Sequence, residues 1–221
     1  MYSLDIKFAM EKILEVCLVM PGILLAFTFH EYAHGKIADM LGDSTPRYEG
    51  RLTLNPIYHI DPMGFLMLLL FKFGWAKPIR TNPSAYKNYY KDDLKVSIAG
   101  VCANLLIALI FSIIAGIFVR FALNILSKSY YEVIYSMILN IIYLNISFAV
   151  FNLLPIPGLD GFRVLQDLMP KKFRKMGDQL YKYQILMLIG IVFFGGFIIR
   201  TPVNFLYGQL MNLASFVFTL F

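Results

Sequence analysis

The chain has 221 residues, of which 58% are hydrophobic and 15% charged, and its mean hydropathy is +0.64. A soluble domain is nearer a quarter charged, so the composition excludes an ordinary soluble enzyme and predicts a multispanning membrane protein, one helical domain over residues 1–221. The net charge of +6 sits in loops between apolar runs, which speaks for membrane orientation and against nucleic-acid binding.

The first fifteen residues are amphipathic and lead into a first predicted span at 13–29, uncharged after Glu15. No cleavable signal is expected, because the segment to be removed would carry the chain's main motif. That motif is His30-Glu31-Tyr32-Ala33-His34. Two histidines four apart on a helix share a face and can hold one zinc ion, and the glutamate between them is placed to take a proton from water at the metal.

Residues 50–55 alternate as a short strand does. Such an edge would hold an unwound substrate backbone extended, or equally would form a small hairpin that braces the site. His59 is the one histidine outside the motif, and all three lie within 30 positions of one another. It reads with equal weight as a satisfied loop residue or as a neighbour of the metal: a donor to a ligand, an oxyanion partner or a competing third ligand. Asn55 and Asp61, beside Pro56 and Pro62, read as structural. Residues 63–71 are apolar, but nine residues reach only about 14 Å as a helix. They predict a re-entrant or interfacial segment.

Residues 98–119 and 133–154 are uncharged runs of 22, each long enough to cross a bilayer. Gly100, Ala103, Asn104 and Ala108 recur at helical spacing in the first of them, which predicts close helix packing. Asn145 and Asn152 share a face of the second; polar groups are costly in lipid unless turned inward, so that face should point toward the zinc. The second run ends in Asn152-Leu153-Leu154-Pro155-Ile156-Pro157-Gly158-Leu159-Asp160-Gly161, where prolines stop the helix and glycines free the backbone around one carboxylate. Lys171, Lys172, Arg174 and Lys175 suit acidic headgroups. Residues 183–199 form a further uncharged run of 17, just long enough to span, and residues 203–221 are uncharged as well but interrupted by Asn, Gln and Gly, which suit a span less. Cys17 and Cys102, both in apolar segments, read as buried small hydrophobes rather than a disulfide.

Charge orders these runs. If residues 63–71 do not cross, the loops on the motif's side hold 14 of the chain's 20 Lys and Arg. Basic residues favour the cytoplasm, so that side is predicted to be cytoplasmic, with a multi-pass protein in the cell membrane. Asp160 then falls on the same side as the histidines and becomes a candidate third ligand, since catalytic zinc takes three protein ligands and keeps one open position.

In several blocks the sequence resembles the site-2 proteases, the intramembrane zinc metalloproteases, and especially their short bacterial and archaeal branch without appended domains. The blocks are His30-Glu31-Tyr32-Ala33-His34-Gly35; Gly50-Arg51-Leu52-Thr53-Leu54-Asn55-Pro56 running to His59-Ile60-Asp61-Pro62; Gly74-Trp75-Ala76-Lys77-Pro78; and residues 152–161. The resemblance implies Zn2+ held by His30, His34 and Asp160, Glu31 as general base, and Asn152 orienting the substrate or its reacting carbonyl. Two positions depart from the family's usual pattern. Val101 stands where a proline is common, and so does Gly158, which predicts a looser turn before Asp160.

The expected fold is an all-α polytopic bundle of about five to six transmembrane helices, with a short re-entrant segment and a small β-hairpin near the active site. The expected function is intramembrane endopeptidase, acting on membrane-anchored proteins or signal-peptide remnants within the lipid bilayer. A non-proteolytic scaffold or transporter, and a zinc hydrolase of lipids or small molecules, are the competing readings. An intact Glu31 speaks against the scaffold, because holding a metal needs only the ligands. Nothing in the sequence sets the oligomeric state.

Overall fold

The computed structural model describes residues 2–71, 74–122 and 124–220, without the side chains of residues 2–9, Arg174, Lys175, Asp178 and Val192. The headgroup role expected of Arg174 and Lys175, and the position of Lys72, therefore lie outside the described residues. Within them, four helices are long and apolar enough to cross a membrane. They are the Met10–Met40 part of α1 (Tyr2–Met40), then α4 (Tyr89–Ala122), α5 (Lys128–Asn152) and α9 (Gly196–Leu220). Between α1 and α4 lie the one-turn helix α2 (Thr45–Tyr48) and α3 (Pro62–Phe71). Three helices join α5 to α9: α6 (Asp160–Leu168), α7 (Pro170–Lys182) and α8 (Gln184–Phe194).

The centre of the bundle is α1, α4 and α5, with α9 packed on α4 and α5. Small residues set how closely they approach. A side chain at Gly22 would meet Leu144 and the Asn140 carbonyl of α5, and one at Gly116 would strike α9 at Ala214 and Val217. Ala108, Ala115, Ile138, Ile142, Ile146, Val203 and Ala214 form the largest buried cluster. The outward faces keep Leu106, Ile110, Ile113 and Ile117 exposed, as a lipid-facing surface requires. Cys17 and Cys102 are exposed too. They belong to this outer surface and not to the core, because an apolar segment in a membrane is apolar on both its faces.

The expected five to six spans reduce to four among the described residues. The uncharged run at 183–199 does not form one helix. It breaks at Gly195, the C-cap of α8, and the next helix begins at Gly196. Two adjacent glycines weaken a helix at that point. At 11 residues α8 reaches only about 17 Å and cannot cross. The crossing helix is instead α9, so residues 203–220 lie within a span-length helix. Its course follows from its neighbours: Ile199 shares a cavity with Phe148 and Phe151 near the end of α5, whereas Val217 lies against Gly116 far along α4. It therefore runs in the same direction as α4, and Arg200 lies at the motif's end of the bundle.

Helix α3 is ten residues long, too short to cross, as expected for 63–71. It packs through Phe65 and Leu68 against Ile23, Ala26 and Phe27 of α1. The expected β-hairpin is not found: no strand occurs among the described residues, and a single antiparallel bridge joins Ile60 to Ala76. The alternation at 50–55 does not separate a wet face from a dry one, because Arg51 is buried. Asn55 ends the segment by capping a 3-10 turn over Pro56–Tyr58, and Pro56 has no N–H to give a ladder.

Candidate active site

His30, Glu31 and His34 lie on α1, two to three turns before its end. The Nε2 atoms of His30 and His34 are 3.0 Å apart, and Asp160 Oδ2 is 3.1 Å from the first and 3.2 Å from the second. All three residues are buried, and they form the group among the described residues that could hold a metal ion. Zinc bonds of about 2.0–2.1 Å in a tetrahedron put ligand atoms about 3.3 Å apart, close to these edges.

The protons decide what belongs between them. His30 Nδ1–H donates to Asn104 Oδ1 at 2.7 Å. The Asn104 amide cannot be flipped, because its Nδ2 donates to the Ala26 carbonyl and to Asn145 Oδ1, each at 3.0 Å. His34 Nδ1–H donates to the Val96 carbonyl at 2.7 Å. Each neutral imidazole thus carries its proton on Nδ1 and points a bare Nε2 lone pair at the other. Asp160 Oδ2 adds a third and has no hydrogen-bond donor. Three converging lone pairs without a proton suit a cation, and the donor set of two imidazoles and a carboxylate suits zinc.

Local sequence explains the convergence. Gly100 faces both imidazoles, and a β-carbon there would lie 2.6 Å from His30 Cε1 and closer still to His34 Nε2. Glycine thus lets α4 lie against the ligand helix. Asp160 is the first residue of α6, where the helix dipole favours an anion. The turn before it uses Gly158 at φ +93°, which proline cannot adopt. That glycine lies against the Gln184 side chain of α8.

Glu31 is buried beside the histidines and accepts a 2.7 Å hydrogen bond from the Ile79 N–H at Oε2. His59 is fully buried, and its Nε2–H donates to the Thr53 carbonyl at 2.7 Å. Burial pushes its pKa down, so it is neutral, and it stands outside the ligand group. Asn152 is buried, with Nδ2 donating to Phe148 O at 2.9 Å. It makes no hydrogen bond to His30, His34 or Asp160 among the described residues. Phe148 itself packs edge-on to the His30 ring, centroids 4.9 Å apart.

Sequence reasoning placed Asn104 among packing residues, whereas its amide anchors His30. A lone amide in a 22-residue uncharged run, with another in the next run, was the available signal. Partners of ligating histidines change metal affinity by about 10–100-fold. Asn104→Leu is accordingly expected to weaken zinc binding by that factor, measured by competition with a chelator, while the helical content is kept.

Asp167 on α6 is a separate matter. Burial and the Asp93 carboxylate raise its pKa to about 7, against the pull of Arg163. An unfolded chain releases this proton near 3.8. Ionisation therefore opposes folding from pH 4 upward and levels off above pH 7. Asp167→Asn should raise the apparent Tm, by an increment that grows between pH 4 and 7 and stays constant at pH 8.

This arrangement is a group able to hold a metal ion, on a helix long and apolar enough to cross a membrane, and the relatives are named as zinc metalloproteases. Residues 122–196, which include Asn152 and Asp160, match the family described as peptidase family M50. The chain is similar to YwhC of Bacillus subtilis (strain 168), named as a zinc metalloprotease, with 34% identity over 206 residues, 89% of this chain and 90% of that protein. It is similar as well to proteins named zinc metalloprotease Rip2. The one from Mycolicibacterium smegmatis is 31% identical over 160 residues, 67% of this chain and 56% of Rip2. That from Mycobacterium tuberculosis is 30% identical over 156 residues, with the same coverage, so the chain spans just over half of the Rip2 length. No solved structure matches. The chain belongs to peptidase family M50, the site-2 proteases, and is a zinc metalloprotease of the membrane.

Proposed function

We propose that this protein is an intramembrane endopeptidase that hydrolyses peptide bonds of membrane-anchored proteins or signal-peptide remnants. Zinc would be held by His30, His34 and Asp160, with Glu31 as general base. The observation that carries this reading is the convergence of two bare Nε2 atoms and a carboxylate oxygen beside a buried glutamate on a span-length helix.

Bound zinc supplies a Lewis acid that acidifies water and polarises the scissile carbonyl. The chain's own groups do the rest. Glu31 Oε2 is occupied by the Ile79 N–H, so Oε1 is left to take a proton from the attacking water. The new C–O bond forms, the C–N bond breaks, and Glu31 returns the proton to the departing amine. Asn152 keeps one N–H and its Oδ1 to orient the substrate backbone. His59, neutral and locked to Thr53, supports the loop beside the substrate rather than a proton transfer. A substrate helix hides its carbonyls in its own hydrogen bonds and must unwind before it reaches the site.

The site would open toward the cytoplasm. With α9 running as α4 does, Arg200 joins the basic loops on the motif's side, and the charge bias grows.

The test is the zinc-loaded protein reconstituted in liposomes with a panel of single-span proteins, and in parallel with phospholipid and small esters. Cleavage of the proteins, lost on chelation and restored by zinc, is the expected result. Hydrolysis of lipid or ester alone, or proteolysis indifferent to the chelator, would contradict the proposal.

A further inference from the structure

Glu31 owes its place to a strap that crosses it. Residues 76–79, Ala76-Lys77-Pro78-Ile79, pass over α1 where the glutamate is buried, and the Ile79 N–H reaches Oε2. Gly35, one turn on, makes room for the strap: a side chain there would strike Ile79 Cδ1 and crowd Leu52. One edge of the strap is tied by the Ile60–Ala76 bridge, with Lys77 N donating to the His59 carbonyl at 2.9 Å. The other tie is Arg51. Its guanidinium donates from Nη2 to the Lys77 carbonyl at 2.8 Å and from Nη1 to the Pro78 carbonyl at 3.3 Å.

Arg51 is only 5% exposed. A buried guanidinium is costly to hold, and its two recorded hydrogen bonds go to strap carbonyls. Pro78 joins the two peptide units that carry those carbonyls, and its ring fixes φ between them. The fork of Arg51 thus sets two consecutive peptide planes, and the second of them, Pro78–Ile79, presents its own N–H to the glutamate.

We propose that Arg51 is a positioning residue for Glu31: by clamping the Lys77 and Pro78 carbonyls it holds the Ile79 N–H on Oε2 and leaves Oε1 facing the attacking water. This rests on Glu31 acting as the base. Arg51 touches neither the ligand atoms nor the reacting atoms, and a single-pronged cation can replace its charge but not its two-plane grip.

The experiment compares zinc-loaded wild type with Arg51→Lys, Arg51→Met, Glu31→Gln and the Arg51→Met/Glu31→Gln double variant, on one single-span substrate. Arg51→Met is expected to lower kcat about 10- to 100-fold with KM within twofold, since a displaced catalytic group costs up to about 100-fold. Arg51→Lys should recover part of that loss. The double variant should be no slower than Glu31→Gln alone, because Arg51 acts through the carboxylate that is already gone. Zinc content and apparent Tm are read for each. Wild-type kcat in Arg51→Met, a change in KM alone, a loss that multiplies with that of Glu31→Gln, or an Arg51→Met protein that cannot retain zinc each overturns the proposal. The two readings separate cleanly. An active Glu31→Gln refutes the base itself, whereas an inactive Glu31→Gln beside a fully active Arg51→Met refutes only the strap.

Discussion

Asp160→Ala should lose zinc. With the carboxylate gone, two imidazole lone pairs remain 3.0 Å apart with no anion to complete the set. One of them can then take a proton and stop serving as a ligand. Affinity is expected to fall more than about 100-fold, beyond the 10–100-fold attributed to outer partners. Metal content after equilibration with a buffered zinc solution gives the answer. Asp160→Asn should fall in between, since an amide oxygen is a weaker ligand of the same shape. Full zinc occupancy in Asp160→Ala would remove this residue from the site, and with it the reason for the turn at 153–159.

Glu31→Gln should give the opposite pairing of results: zinc retained, turnover lost. The amide carbonyl can still accept from the Ile79 N–H, so the strap keeps its place. No group is left to take the proton of the attacking water. General-base catalysis contributes about 10²–10⁴-fold, and kcat is expected to drop by that factor with KM little changed. Single-turnover assays on the zinc-loaded protein separate the chemical step from binding. A fall in zinc content to match the fall in rate would make Glu31 a structural residue.

Side-chain chemistry at sequence level pointed to the three side chains that converge as a group able to hold a metal. Two histidines at helical spacing and one acid in a Pro/Gly turn declare themselves, and loop charges brought Asp160 to the same end of the bundle. Other features had no such signal. The uncharged run at 183–199 hides its break, because hydropathy does not register the Gly195-Gly196 pair as an interruption. Alternation at 50–55 suggested a strand, but Arg51 turns inward to bind carbonyls and no ladder forms. Asn104 was visible as an amide in lipid, yet its partner, His30, lies 74 residues away and cannot be read locally. The Ile79 amide could not be foreseen at all. Backbone groups are the same at every residue, and only the fold says which one meets Glu31.

The most direct measurement of the central claim is cleavage of a single-span substrate in liposomes prepared in water enriched in oxygen-18, with both fragments mapped by mass spectrometry. A new carboxyl terminus inside the substrate's apolar segment, toward its cytoplasmic end and carrying one oxygen-18, is the predicted result. The same fragment should be absent with zinc-loaded Glu31→Gln. Fragment ends confined to the water-exposed flanks, or equal amounts from wild type and Glu31→Gln, would contradict the account.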